Sequence, residues 1–348
     1  MSGDRMNIAV TGLSAISAAG AGLDPVMQVI RSGQSVLRQA PPELAGGEGH
    51  WWGRAEGFKA TEYLPPLKAR KLDRCSQFAV VAAGMALRDA AIDVKDFGPE
   101  RIGITLGCGF GGIANSEEFL RGYFASGPEG LVPMLFPNTV PNAPASNASI
   151  EYGFRGPNVT FVQRFCSAEV AVQMACRFLE EDRADVMITG GVDELDPFMI
   201  RAFRSIGQLG RYAAGFGEGA GLLVLEKPEN ARRRGARIRA WLGDIRTVGR
   251  ILPGRETEGC ARLAGPQREP HMVSLSGVAA LVPGLVERIP LSVPRLETGE
   301  LLGRSLAMGG LALVSLALAL APGADAIHFS ASPEGPYYGI DVMGAGGL

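Results

Sequence analysis

The segment FVQRFCSAEVAV, residues 161–172, sets one cysteine between an apolar run and a stretch with helical periodicity. A thiol at a helix start lies beside unpaired backbone N–H donors and the positive end of the helix dipole, both of which favour the thiolate. The amide that follows it can serve as an oxyanion donor. Cys166 is therefore a candidate nucleophile, weighed against the alternative that a buried free cysteine is only a small apolar side chain. A nucleophile needs an activating base, and the chain has three histidines, His50, His271 and His328. His50 lies in GGEGHWWG, which reads as a solvated glycine-rich loop. His271 opens a predicted strand. His328, in DAIHFSASPEG, is the one with a route to Cys166, although a histidine in such a strand more often has its hydrogen bonds satisfied locally. The five cysteines, Cys75, Cys108, Cys166, Cys176 and Cys260, are irregularly spaced and include no CxxC pair. That argues against a disulfide framework and a zinc site, and for a reducing, cytoplasmic compartment. No motif requires a metal or an organic cofactor.

Two glycine-rich turns invite a phosphate-binding reading. GCGFGG, residues 107–112, has the GxGxxG spacing of a dinucleotide site. Such a site also wants an acidic residue ending the next strand, about 20 residues on, and here Glu129 follows ASGP in a predicted loop. GFGEGAG, residues 215–221, lacks the Lys-Ser/Thr of a phosphate loop. Both read as places where backbones approach closely.

The elements that position these residues alternate between strand and helix. NIAVTGL, RIGITLGCGFGG, NVTFVQRF, ADVMITGGVDE and GEGAGLLVLEKPE read as strands, with helices at 71–92 and in SAEVAVQMACRFLEED. Val- and Ile-rich strands with little polar alternation belong to an α/β sheet covered on both faces. Near residue 235 the composition changes. IRAWLGDIRTVGR opens a second set, with further strands in PHMVSLSGVAAL and DAIHFSASPEG, so the chain divides into a longer half, 1–235, and a shorter, similar half, 236–348. Residues 305–321 are apolar for 17 residues, which fits a buried helix better than a membrane span. The N-terminus shows no signal peptide. A formal net charge of −2 gives no general attraction to nucleic acid or anionic lipid. The basic run ENARRRGARIRA, residues 229–240, reads as a solvated helix end or loop rather than a patch for an acidic partner.

VTGLSAIS, KLDRCSQFA, GCGFGG, FPNTVPN, GFRGPNVT, the Cys166 turn, ITGGVDE and GEGAGLLVLEKPE follow one another as in the β-ketoacyl synthases of the thiolase fold. This resemblance implies two similar βαβ halves, with mixed five-stranded sheets layered between helices (αβαβα). Elongating members of the family use a cysteine and two histidines: the cysteine takes an acyl chain from an acyl carrier protein, and the histidines assist decarboxylation of a malonyl unit. By resemblance Cys166 is the nucleophile. The first histidine position falls in VSLSGVAAL, residues 273–281, on Ser276 or Leu275. The second falls on Arg304 in LLGRSLAMGG, a preceding lysine position falls on Gly299, and the glycine turn near the C-terminus has become SASPEGP, residues 330–336. Arginine stays charged and cannot exchange a proton near neutrality, and serine does not replace imidazole as a base.

With SGVAAL for HGTGT and GR for GH, the chain resembles the chain-length factors, non-condensing subunits that pair with an active ketosynthase in type II polyketide and polyene systems. The resemblance implies a heterodimer, a phosphopantetheine-bound chain delivered by an acyl carrier protein, and a tunnel at the subunit interface. The interface segment would be residues 133–153 with the turn around Phe110, bringing Met134, Phe136, Thr139 and Asn142 to the tunnel or the dimer seam. Chain-length factors usually have glutamine at position 166. The retained cysteine is a relic, an acyl acceptor or the mark of a divergent polyene-type branch. The second half is short for the family, which favours a non-condensing role. The alternative is a stand-alone cysteine acyltransferase or thioesterase acting through Cys166.

Overall fold

The computed structural model describes residues 8–46, 49–207, 215–265, 269–277, 290, 292–333 and 335–346. Ten strands form two groups of five. In chain order the first group is β1 (Ile8–Ser17), β2 (Ile102–Cys108), β3 (Asn158–Phe161), β4 (Val186–Asp193) and β5 (Gly219–Glu226). The second is β6 (Ala240–Val248), β7 (Met272–Gly277), β8 (Arg295–Glu297), β9 (Asp325–Ala331) and β10 (Tyr337–Gly344). Their spatial orders, β3-β2-β4-β5-β1 and β8-β7-β9-β10-β6, are the same plan twice. Directions repeat as well: two parallel pairings, then two antiparallel ones, in the first group and in the second. The groups join where β1 runs antiparallel to β6, from Ile8 opposite Leu242 to Val10 opposite Ala240.

Side chains alternate across a strand, and β1, β2, β4 and β5 are buried on both faces. Along β5, Leu222 and Val224 enter one core with Phe78, Val81 and Ala82 of helix α1 (Arg74–Asp89). Leu223 and Leu225 enter another core between the two sheets. That middle core holds α4 (Ser167–Glu180) and α7 (Gly309–Ala319), whose Val172, Leu179, Leu313 and Leu316 pack with strand residues of both groups such as Leu13 and Ile340. Helix α6 (Glu256–Ala264) covers the outer face of the second sheet, with Cys260 and Leu263 against Val273 and Phe329. The layers thus run α1, sheet, α4 with α7, sheet, α6, the αβαβα arrangement expected. Three further helices border the site described below: α2 (Ile113–Ser126), α3 (Ala143–Tyr152) and α5 (Pro197–Ser205).

The apolar stretch 305–321 is helical only over α7. It is apolar on every side because it is the middle layer, and no helix among the described residues is long and apolar enough to cross a membrane. The basic run is a short helix, Pro228–Arg233, and its exit. Arg234 binds Glu226, Arg239 binds Asp89, Arg233 binds Asn230 and Arg232 lies over the Trp241 ring, so its charge is largely spent within the chain. Glu129 lies in the 3-10 turn Gly127–Gly130, not at a strand end. Residues 278–281 of the segment VSLSGVAAL, and Glu334 of SASPEGP, lie outside the described residues.

Candidate functional site

The turn before Cys166 is built by its neighbours. Ser167 Oγ accepts from the amide of Gln163 at 2.8 Å and donates to the carbonyl of Arg164 at 2.7 Å, which holds Arg164 at φ 51°. Arg164 is anchored in turn by donating to the Pro333 carbonyl at 2.8 Å. Cys166 is then the N-cap of α4. Gly107, at the end of β2, lets this turn close: a Cβ there would stand 2.3 Å from the amide nitrogen of Ala168. The fingerprint-like spacing of GCGFGG therefore serves backbone approach, with Gly111 supplying a left-handed turn residue at φ 73°.

Cys166 has no exposed surface. Its Sγ donates to the carbonyl of Pro336 at 3.2 Å and lies 3.3 Å from Ser330 Oγ on β9. Burial, reinforced by the nearby carboxylate of Glu169, pushes the thiol up to about 12. A helix N-terminus alone favours the thiolate; here the loss of water outweighs that dipole.

His328, two residues before Ser330 on the same face of β9, is fully buried in a separate network. Its Nε2 lies 3.0 Å from Glu169 Oε1 and 3.3 Å from Ser276 Oγ, and its Nδ1 lies 3.0 Å from Ser274 Oγ. Ser276 also donates to Glu169 Oε1 at 2.7 Å. A neutral imidazole has one acceptor nitrogen. With Nε2–H given to the carboxylate, that acceptor is Nδ1, and the Ser274 hydroxyl occupies it. A protonated imidazole has no acceptor at all. Neither form leaves a lone pair for the thiol.

Ser276, Leu275, Gly299 and Arg304, the positions matched to the missing catalytic groups, line one small cleft together with Met308. Arg304 pairs with Glu300 through Nη2, and its amide donates to the Gly215 carbonyl at 2.7 Å. A Cβ on Gly299 would stand 2.7 Å from Arg304 Cγ, so a lysine there requires the arginine to move. Cys166 does not line this cleft. His50 is half-buried and His271 is exposed, its Nδ1 accepting from the amide of Asp325 at 3.2 Å.

The predicted interface residues lie at or near the surface. Phe110 opens a groove of about 660 Å³ between α2 and α5, lined by Ile113, Leu120, Phe124, Met199 and Phe203 among others. Met134 is 78% and Phe136 59% exposed. Thr139 closes the short turn Phe136–Asn138 by donating to the Phe136 carbonyl at 2.9 Å, and exposed Asn142 is the N-cap of α3. Phe110, Met134, Phe136 and Asn142 are exposed and Thr139 is half-buried.

Glu169 and Ser274 escaped sequence reading. The signal for Glu169 was present: in SAEVAVQMAC it falls on the same helical stripe as Val172, Cys176 and Leu179, so a carboxylate is carried into the core.

The family model for the β-ketoacyl synthase N-terminal domain matches residues 5–231. The 3-oxoacyl-[acyl-carrier-protein] synthase 2 of Staphylococcus aureus (strain N315) is 31% identical over 233 residues, 61% of this chain and 56% of that protein. The protein of the same name from Vibrio cholerae serotype O1 is 28% identical over 254 residues, 68% of this chain and 61% of that one. The chain thus spans little more than half the length of these curated relatives. Among solved structures, the ishigamide ketosynthase/chain length factor superposes with a TM-score of 0.82 at 22% identity, covering 98% of this chain and 100% of that one. A ketosynthase solved with its type II polyketide acyl-carrier protein gives 0.81 at 19%, with the same coverage. At these identities the superpositions establish the thiolase-like fold, and the domain match carries the lineage: the chain belongs to the β-ketoacyl synthase family.

Proposed function

We propose that this chain is a non-condensing, chain-length-factor-like subunit that pairs with an active ketosynthase and forms one wall of the tunnel for a carrier-bound acyl chain. In this reading the two halves, 1–235 and 236–348, are ketosynthase-like with the catalytic histidines replaced and Cys166 retained, and the chain works in the cytoplasm. One observation carries it: the Cys166 thiol is paired with a hydroxyl and a carbonyl, not with an imidazole. Decarboxylation needs donors aimed at the developing oxyanion. In their assigned places stand Ser276, tied to Glu169, and Arg304, tied to Glu300.

The outer surface supports the pairing. Ten of the sixteen exposed large apolar side chains among the described residues fall within residues 110–162, Phe124, Met134, Phe136, Ile150 and Val162 among them. An apolar surface of that extent marks an interaction face, and the groove beside Phe110 has the size of an acyl-chain site.

The test compares the lone chain with the chain co-purified with a competent ketosynthase, each given malonyl-loaded acyl carrier protein and an acyl primer. The lone chain releases no carbon dioxide above background. The pair elongates, and Cys166→Ala in this chain changes its rate by less than about twofold, under ~0.5 kcal/mol. Elongation by the lone chain overturns the proposal. So does an acyl adduct on the lone chain that disappears in Cys166→Ala, which would instead identify a cysteine acyltransferase.

A further inference from the structure

We propose that Glu169 adds to the silencing that burial imposes on this site: it engages the imidazole of His328 and sets a carboxylate one helical turn behind the Cys166 thiol, which holds the thiol further from reaction. The inference concerns the isolated chain and stands whether or not it pairs with a ketosynthase.

Three features make Glu169 more than a buried acid with a partner. First, it lies three residues after Cys166 on α4, so both side chains leave the same face of the first turn. Both reach the same strand, Cys166 to Ser330 and Glu169 to His328. Second, the start of α7 is shaped around the carboxylate. A Cβ on Gly309 would stand 2.0 Å from Glu169 Oε1 and 2.6 Å from Oε2. Third, only one carboxylate oxygen is satisfied. Oε1 takes both Ser276 and His328, while Oε2 is buried with no hydrogen-bond partner among the described residues. A carboxylate in that state is a poorly neutralised source of negative potential in a low-dielectric interior, and a second negative charge on Cys166 is opposed by it.

The other titratable or charged groups around the thiol do not offset this. His328 on β9 gives its Nε2 to Glu169 itself. Arg164, in the preceding turn, directs its guanidinium to the Pro333 carbonyl. Tyr338 on β10 interacts electrostatically with both Cys166 and Glu169, and burial raises its own phenol, so it adds no positive charge. Ser330 Oγ, the Pro336 carbonyl and Ser332 also lie against the thiol, and the carbonyl accepts the thiol proton.

The test reads ionisation of Cys166 directly. In the native chain, thiolate absorbance is followed as the pH is raised, with the Cys166→Ala protein subtracted to isolate this residue from the other four cysteines. The expected result is no Cys166 ionisation across the ordinary thiol range; ionisation at about 8.5, the value of a free thiol, overturns the proposal without recourse to any further variant. The second arm measures alkylation of Cys166 by iodoacetamide against pH, located by peptide mass, in Glu169→Gln and Glu169→Ser, both first checked for a cooperative melt. The midpoint moves to lower pH and the rate at about pH 8 rises about tenfold or more, because each unit of pKa multiplies the thiolate fraction tenfold. A purely structural loosening scales the rate at every pH and leaves the midpoint in place, and that outcome overturns the proposal. His328→Gln, which keeps the carboxylate, leaves the midpoint where it was. A fall in His328→Gln to match that in Glu169→Gln assigns the silencing to the imidazole and removes Glu169 from the role.

Discussion

At Gly310, the second residue of α7, the backbone touches two strands at once. A Cβ there would stand 2.3 Å from the Gly221 carbonyl oxygen and 2.4 Å from the Gly191 amide nitrogen. Gly191 belongs to ITGGVDE and Gly221 to GEGAG, so glycines from three distant segments share one contact between the middle helix and the first sheet. Both obstacles are main chain and cannot rotate away. Gly310→Ala is therefore expected to destabilise the chain by roughly 3 kcal/mol or more, read from urea unfolding. Gly249→Ala, where a Cβ meets nothing within 4 Å, shifts stability by about 0.5 kcal/mol at most. Equal effects would refute the packing account. The same contact explains what was legible at this scale. Glycine-rich segments were correctly read as close approaches because each lacks the acid or lysine that phosphate binding requires. The Glu169–His328 network was not legible, because the pairing depends on which strand residue faces the first turn of α4, and that is fixed only by the fold.

At the scale of elements, the end of β4 ties three segments together through two adjacent acids. Asp193 accepts from the amides of Gly109 at 2.6 Å and Ala307 at 2.7 Å, linking the turn after β2 to the approach to α7. Glu194 accepts from the amide of Ala114 at 2.8 Å, satisfying a donor in the open first turn of α2. Burial pushes Asp193 from 3.8 up to about 6 and Glu194 from 4.5 up to about 8. In those windows the folded chain holds a proton that the unfolded chain has released, so stability falls as pH rises through them. Acidification from about pH 8 towards 5 is thus expected to strengthen the fold by a few kcal/mol. In urea titrations, Glu194→Gln flattens the dependence between about 4.5 and 8, and Asp193→Asn flattens it between about 4 and 6, while Asn also gives up one of the two accepted amides at a cost of ~1 kcal/mol. A Glu194→Gln protein that keeps the full slope would show that this carboxyl is ionised in the fold.

For the whole molecule, strands buried on both faces announce themselves as continuous apolar runs, and most of the ten were visible for that reason. β10, YYGIDVMG, was not: its aromatic residues, glycine and Asp341 interrupt the run, and Asp341 is held by Arg246 of β6, at 2.7 Å through Nη1. β10 is nevertheless what makes the second sheet repeat the first. The duplicated plan leaves β3 as an edge with no strand on its outer side among the described residues. An unpaired edge that runs into exposed Val162 is a template for another chain. Pairing of that edge predicts that those amides of residues 158–162 that point away from β2 exchange slowly with solvent only when a ketosynthase partner is present. It also predicts that Met134→Lys and Val162→Lys, at positions 78% and 56% exposed, leave the unfolding free energy of the lone chain within about 0.5 kcal/mol yet lower co-purification with the partner tenfold or more, roughly 1.4 kcal/mol or greater in association. If both variants still bind the partner at the original affinity and the edge amides stay unprotected, the apolar face of residues 110–162 is not where the subunits meet, and the tunnel wall must be sought on another surface of the chain.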